Sequence, residues 1–207
     1  MEDDELVWIE DGDIIFKEGS NQGTYSYYGW QDNLGLAFYG YIEGYKNSAD
    51  VLVDKALEEG KHGRIDVLDT FIYPITFLYR QFMELCLKSI YLQYSEQIFE
   101  EKKKYITTVG HNLKRSWDFV KPLIIKHSET EEDRNYANIA EQYIIQMDEF
   151  DSTSFDFRYP IDKKVDLTHK TWEYIDLPNL KEKMERFYNY YIGVDGQISA
   201  HLYSNKN

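Results

Sequence analysis

The chain has 207 residues, enough for one domain with a sizeable core. Its 37 acidic residues outweigh 23 basic ones, and the formal net charge of −14 excludes opportunistic binding to a phosphate backbone unless cations are concentrated locally. A single cysteine, Cys86, excludes an internal disulfide, and no apolar run reaches bilayer-spanning length, so a soluble, cytoplasmic protein with no membrane association is expected.

The first residues, Met1 to Glu5, are acidic where a signal or transit peptide is basic. Leu6 to Ile9 and Ile14 to Phe16 flank Asp11-Gly12, a pair suited to a type I′ turn, and the pattern predicts a β-hairpin. From Gly19 to Gly35 the chain is rich in Gly, Asn, Ser and aromatic residues, among them Tyr25, Tyr27, Tyr28 and Trp30. It lacks periodicity and reads as an ordered loop or a partner-facing patch. Helical spacing sets in over 36–57, with Phe38, Tyr41, Tyr45, Ala49, Leu52, Val53 and Ala56 on one stripe, and Gly60 and Gly63 supply a stop.

The stretch from Tyr73 to Phe99 is the one the rest is built around. Over 79–96 a helix puts Leu78, Phe82, Leu85 and Ser89 on one face and Met83, Leu87, Ile90 and Tyr94 on nearly the opposite one, so it is expected to be buried between neighbours. Pro74 marks its N-terminus or a kink. Its narrow polar stripe, Arg80, Glu84, Lys88 and Ser95 with Gln81 alongside, is either the wet edge of a packed helix or a polar cleft at the bundle's centre. A charged extension, Glu96 to Lys104, follows.

A further helix starts near His111 or Asn112, with Leu113, Trp117, Val120 and Ile124 inward and Pro122 expected to break or bend it. Ser128-Glu129-Thr130-Glu131 offers a capping box, with Thr130 a rival cap, before Tyr136, Ile139, Ala140, Tyr143, Met147 and Phe150 recur with helical period. Asp151 to Pro160 is non-helical, and Val165 to Ile175 reads as a short strand or hairpin. Asp176 caps a last helix, with Pro178 in its first turn, Leu180, Met184, Phe187 and Tyr191 inward, and Gly193 to Gly196 as its end.

The fold expected is mainly all-α: about five helices, a short N-terminal hairpin and small β or loop trimmings before the last helix. It forms one domain over 1–207, divided into hairpin and loop (1–35), helical core (36–150), insert (151–177) and last helix with tail (178–207). There is no phosphate-cradling Gly-Lys-Ser loop, dinucleotide fingerprint, zinc Cys pair or nucleophile elbow. His62, His111, His127, His169 and His201 lack the spacing that sets two ligands on one helix face, so neither a metal nor a cofactor is expected.

The segment from Tyr79 to Lys88 (YRQFMELCLK), followed by Gly110 to Trp117 (GHNLKRSW), resembles the paired helices of HEPN domains. In those helical bundles an Arg-x-x-x-Glu-Leu-x-x-Lys-like helix faces a second one introduced by His-x-Leu. The resemblance covers roughly 65–150, and Phe157-Arg158-Tyr159-Pro160 looks like a subgroup feature. It implies a HEPN-like bundle that dimerises. Several members are metal-independent endoribonucleases of toxin–antitoxin and phage-defence systems, which use an Arg and a His four to six residues apart. No Arg in this chain has a His at that distance downstream. Other members bind nucleotides or pair with nucleotidyltransferases.

The expectation is therefore a binding or dimerisation module of defence, toxin–antitoxin or mobile-element biology, with a nucleotide, RNA or protein partner. The first alternative is an RNA- or nucleotide-directed enzyme with unusual site spacing. The second is an acidic inhibitor acting by interaction. For an enzyme, His111 is the candidate acid/base, because its ordinary pKa lies near neutrality. Arg80, Lys88, Arg115 and Arg158 are candidates for holding phosphate oxygens, with Glu84 and Tyr159 completing the ligand set. For each a structural role competes: His111 capping a helix, Arg158 locking a loop through carbonyls, Glu84 and Lys88 forming an ordinary i,i+4 pair, and Asp118 being a surface charge or a partner for Arg115.

Overall fold

The computed structural model describes residues 7–19, 23–151, 154–171 and 173–204. The chain separates into two units, Met1–Asp32 and Asn33–Asn207. In the first, Glu10 to Asp13 form a turn: the Glu10 amide donates to the Asp13 carboxylate at 2.8 Å, and Gly12 takes a φ of 87° that a side chain would strain. The expected hairpin does not extend beyond this turn. Among the described residues no strand pairs across it, and Val7, Ile9, Ile15 and Phe16 are exposed. A two-stranded ribbon is marginal unless one face is covered. Leu6 lies outside the described residues.

Six helices make up the described part of the second unit: α1 (Leu34–Lys61), α2 (Ile65–Tyr94), α3 (Phe99–Val109), α4 (Leu113–His127), α5 (Glu131–Phe150) and α6 (Leu177–Ser204). The first begins at Asn33, whose side chain accepts the Leu36 amide at 2.9 Å. Its buried residues, Ile42, Lys46, Ala49, Val53 and Ala56, recur at alternating four- and three-residue steps and lie along α2. The second helix starts well before the 79–96 stretch and contains Pro74 in its interior, so of the two roles expected for the proline the N-terminus is excluded. It lacks one backbone donor, and the packing of Phe71, Ile72, Ile75 and Leu78 into the core holds the turn around it.

Burial on two sides of α2 is observed. Ile75, Tyr79, Phe82 and Met83 have no exposed surface, and α1, α4 and α6 all touch the helix. Phe82 meets Phe187 of α6 edge-on at 5.9 Å between ring centres.

Four further expectations are corrected. The charged extension after Glu96 is a separate helix, α3, because α2 ends at Ser95 in extended backbone. Pro122 lies inside α4, which continues to His127 with Val120 and Ile124 buried on either side of it. The Val165–Ile175 strand is absent among the described residues: Ile161 and Leu167 form a single antiparallel bridge, and the Asp162 carboxylate draws in the amides of Lys164 and Asp166 instead of leaving them for a ladder. Gly193 and Gly196 do not end α6, whose seam of Met184, Phe187, Tyr191, Val194 and Ile198 continues through them. Each glycine costs about 1 kcal/mol against Ala, and burial of Val194 and Ile198 offsets it. The capping box before α5 belongs to Thr130 and Asp133, and Asp176 caps α6 through the Asn179 amide at 2.8 Å. Among the described residues no helix is long and apolar enough to cross a membrane.

The ends of α4 and α6 meet at two histidines. His127 Nδ1 lies 3.3 Å from His201 Nδ1, and His127 is buried. Burial foremost, with the neighbouring His201 and Lys126, holds the His127 imidazole below its ordinary pKa, against an opposing pull from Glu96.

Truncation of Phe82 to Ala is expected to cost about 3–5 kcal/mol in urea unfolding, as for other large aromatic core residues; a midpoint near wild type would contradict the central position of α2. Because the unfolded chain binds a proton at His127 more readily than the folded one, stability is full above about pH 6.5 and falls as pH is lowered through it. Melting temperatures measured from pH 7.5 to 5.5 should decline less steeply in His127→Phe than in wild type.

Candidate functional site

Arg80, Glu84 and Lys88 stand at four-residue steps on α2 and share one face. They are not a wet edge: Arg80 and Glu84 are each 2 % exposed. A buried guanidinium needs acceptors for its fan of donors, and three chain segments supply them. Arg80 Nη2 donates to the His111 carbonyl at 2.6 Å, Nη1 to Glu84 Oε2 at 3.2 Å, and Nε to the Asp151 carbonyl at 3.1 Å, with Asp151 Oδ2 at 3.4 Å. Arg80 thus ties α2 to the turn before α4 and to the end of α5.

The Glu84 carboxylate receives Lys88 Nζ at 2.6 Å and faces His111 Nδ1 at 3.0 Å. The turn that brings His111 there depends on Gly110, whose φ of 53° follows the last residue of α3. With a carboxylate against Nδ1, that nitrogen carries the proton and donates it, leaving Nε2 as the basic atom of a ring whose side chain is 54 % exposed. Asp151 was not foreseen as a member of this group. Its carboxyl is raised above the usual carboxylate range by burial, with Arg80 pulling the other way. Two cations, Arg80 and Lys88, therefore meet two carboxylates, Glu84 and Asp151, and the cluster is balanced in charge by the protein itself.

The remaining candidates lie elsewhere. Arg115 donates to the Thr108 carbonyl at 2.9 Å, closing the end of α3, and Asp118 pairs with Lys114. Arg158 donates to the Ser154 carbonyl at 2.7 Å and to the Ser154 hydroxyl at 3.1 Å, with its guanidinium over the Phe155 ring at 4.4 Å. That is a loop lock. Tyr159 stacks on Phe155 and, with Arg158, lines a small hollow of about 290 Å³ beside Tyr73, Phe157 and His169.

A second, partly buried network joins α1, α2 and α6. Lys46 pairs with Asp50 at 2.7 Å and with Glu185, and Asp50 also accepts the Tyr79 hydroxyl at 2.6 Å. Burial lowers the Lys46 pKa, and the two carboxylates outweigh it, so the ammonium is held above its ordinary range. The signal was in the sequence: Lys46 precedes Ala49 and Val53 by three and seven residues, a lysine on the apolar stripe.

A groove of about 680 Å³ runs between α5 and α6. Tyr136, Ile139, Ala140 and Tyr143 form one wall, and Phe187, Tyr190, Gly193 and Val194 the other. The Tyr190 hydroxyl is buried there without a partner. No protein-family model, curated protein or solved structure matches the chain.

Removing one member of a buried ion pair leaves the others uncompensated. Arg80→Met is expected to cost about 3–5 kcal/mol in urea unfolding, and Lys88→Ala, at the rim, about 1.5–3 kcal/mol. The reverse order would mean that Arg80 is not the centre of the cluster.

Proposed function

We propose that this chain is a HEPN-like binding and dimerisation module whose contact surface is the α5–α6 groove. The observation that carries this reading is the groove itself: about 680 Å³ of mainly apolar lining, flanked by Tyr136 and Ile139, which are 49 % and 44 % exposed. Tyrosines and aliphatic residues open to solvent along two neighbouring helices are the raw material of an interface. At one end of the groove Gln197 of α6 donates to Asp133 of α5, and at the other Arg186 is paired with Glu182 at 2.5 Å. A second copy related by a two-fold axis brings the apolar walls of the two grooves together. The setting follows from the resemblance: bacterial defence, toxin–antitoxin or mobile-element biology, with a nucleotidyltransferase or other protein as a further partner.

The polar cluster on α2 supports a binding module rather than a phosphate site, because its cations are already matched by Glu84 and Asp151. One observation favours a second reading, an RNA- or nucleotide-directed enzyme. The buried Glu84 carboxylate holds His111 at Nδ1 on a side chain that is 54 % exposed, an orienting contact of the kind used in general acid–base sites.

Light scattering over a concentration series should give twice the chain mass at micromolar concentration. Ile139→Asp should return it to one chain mass without lowering the melting temperature. A wild-type protein that is monomeric throughout removes the dimer. For the second reading, incubation with single-stranded RNA at pH 7 should give cleavage that His111→Ala abolishes; intact RNA under wild-type protein rejects it.

A further inference from the structure

Ile124 and Ser128, at the end of α4, line the α5–α6 groove together with Val194 and Gln197 of α6. His127 is the chain neighbour of Ser128, and His201 follows Gln197 by about one helical turn. The Nδ1 atoms of the two histidines are 3.3 Å apart with the rings at 87°, so a hydrogen bond closes the joint beside the groove. Such a bond needs one ring to donate N–H and the other to offer a lone pair.

A proton added to the partly exposed His201 leaves the bond in place, because its Nδ1–H still meets the lone pair of His127 Nδ1. A further proton on His127 ends it. Both Nδ1 atoms then carry hydrogen, and two cations face each other. The other nitrogen of the His127 ring, Nε2, is buried without a partner, so the charged ring finds no acceptor on that side either. His201 and Lys126 oppose a charge on His127, and Glu96, itself paired with Lys126 at 2.7 Å, favours one.

We propose that double protonation of this histidine pair is an acid switch that parts the end of α6 from the end of α4 and opens the groove between them. The inference rests on the groove being the contact surface of the protein. Beyond Ser199, α6 is held by His201 and by the partly buried Leu202. Loss of the histidine bond therefore frees the last turn of the helix, and Val194 and Gln197 are drawn away from Ile124 and Ser128. The divided lining no longer offers a second copy one continuous apolar face.

The full chain is to be compared at pH 7.5 and 5.5 by amide hydrogen exchange, read as protection factors, and by light scattering over a concentration series. Protection over residues 198–204 should fall by up to about tenfold at pH 5.5, the most that one released imidazole of ordinary pKa gains a pH unit below it. Helical circular dichroism should stay unchanged. His127→Phe should abolish the fall. His201→Gln, at a partly exposed position, should flatten it too, because it offers His127 an acceptor and no second cation. The dimer should dissociate toward one chain mass at pH 5.5 in wild type and persist in His127→Phe. A wild type that is monomeric at both pH values removes the dimer and leaves exchange to decide the switch. Protection that is equal at both pH values, or that falls alike in wild type and both variants, overturns the switch whatever the state of the dimer. Loss of helical signal at pH 5.5 overturns it as well, since the whole fold then gives way.

Discussion

One buried guanidinium sets the terms for the helices around it. Arg80 has almost no contact with water, and an ion so placed is tolerated only when its donors are met. Its acceptors are the Glu84 carboxylate one turn along α2 and, from segments 31 and 71 residues away, the His111 and Asp151 carbonyls. The turn between α3 and α4 and the exit from α5 must therefore reach α2 together. Buried ion clusters add little net stability over an apolar core. What this one supplies is a constraint: packings that bring only one of these two distant segments to α2 leave guanidinium donors unmatched.

Around that fixed point the apolar packing is less demanding. Helix α2 meets α1 along a seam of Ile42, Ala49, Val53 and Ala56 and meets α6 through Phe82 against Phe187. These contacts drive collapse through buried area and tolerate changes of similar volume. The second ionic network, Lys46 with Asp50 and Glu185, repeats the pattern between α1 and α6. Directional polar contacts thus occur where helices from distant parts of the chain meet.

How much of this was legible in the sequence depends on the kind of signal. Periodicity located the two-sided helix around Phe82 and Met83, and i,i+4 spacing put Arg80, Glu84 and Lys88 on one face, because both rest on the geometry of a single helix. Breaker residues misled. Pro74, Pro122, Gly193 and Gly196 all lie within helices, since a local cost of one to a few kcal/mol is outweighed by burying a seam. Asp151 was invisible as a partner of Arg80 because that contact spans 71 residues and belongs to tertiary structure. His127 and His201 lie 74 apart for the same reason. Lys46 was the exception, a charged residue in phase with Ala49 and Val53 that periodicity alone could have flagged.

The charge inventory bears directly on function. A protein of net charge −14 takes up a phosphate only where cations are concentrated and not already committed. The two cations of the α2 face are matched by Glu84 and Asp151, Arg115 closes the end of α3 on Thr108, and Arg158 is spent on Ser154 and the Phe155 ring. Each of these side chains does structural work at the place where sequence spacing suggested a ligand. In the groove between α5 and α6, by contrast, Tyr136 and Ile139 stand about half exposed and gain by being covered. Cover for such apolar side chains is something a protein surface supplies and a polyanion does not.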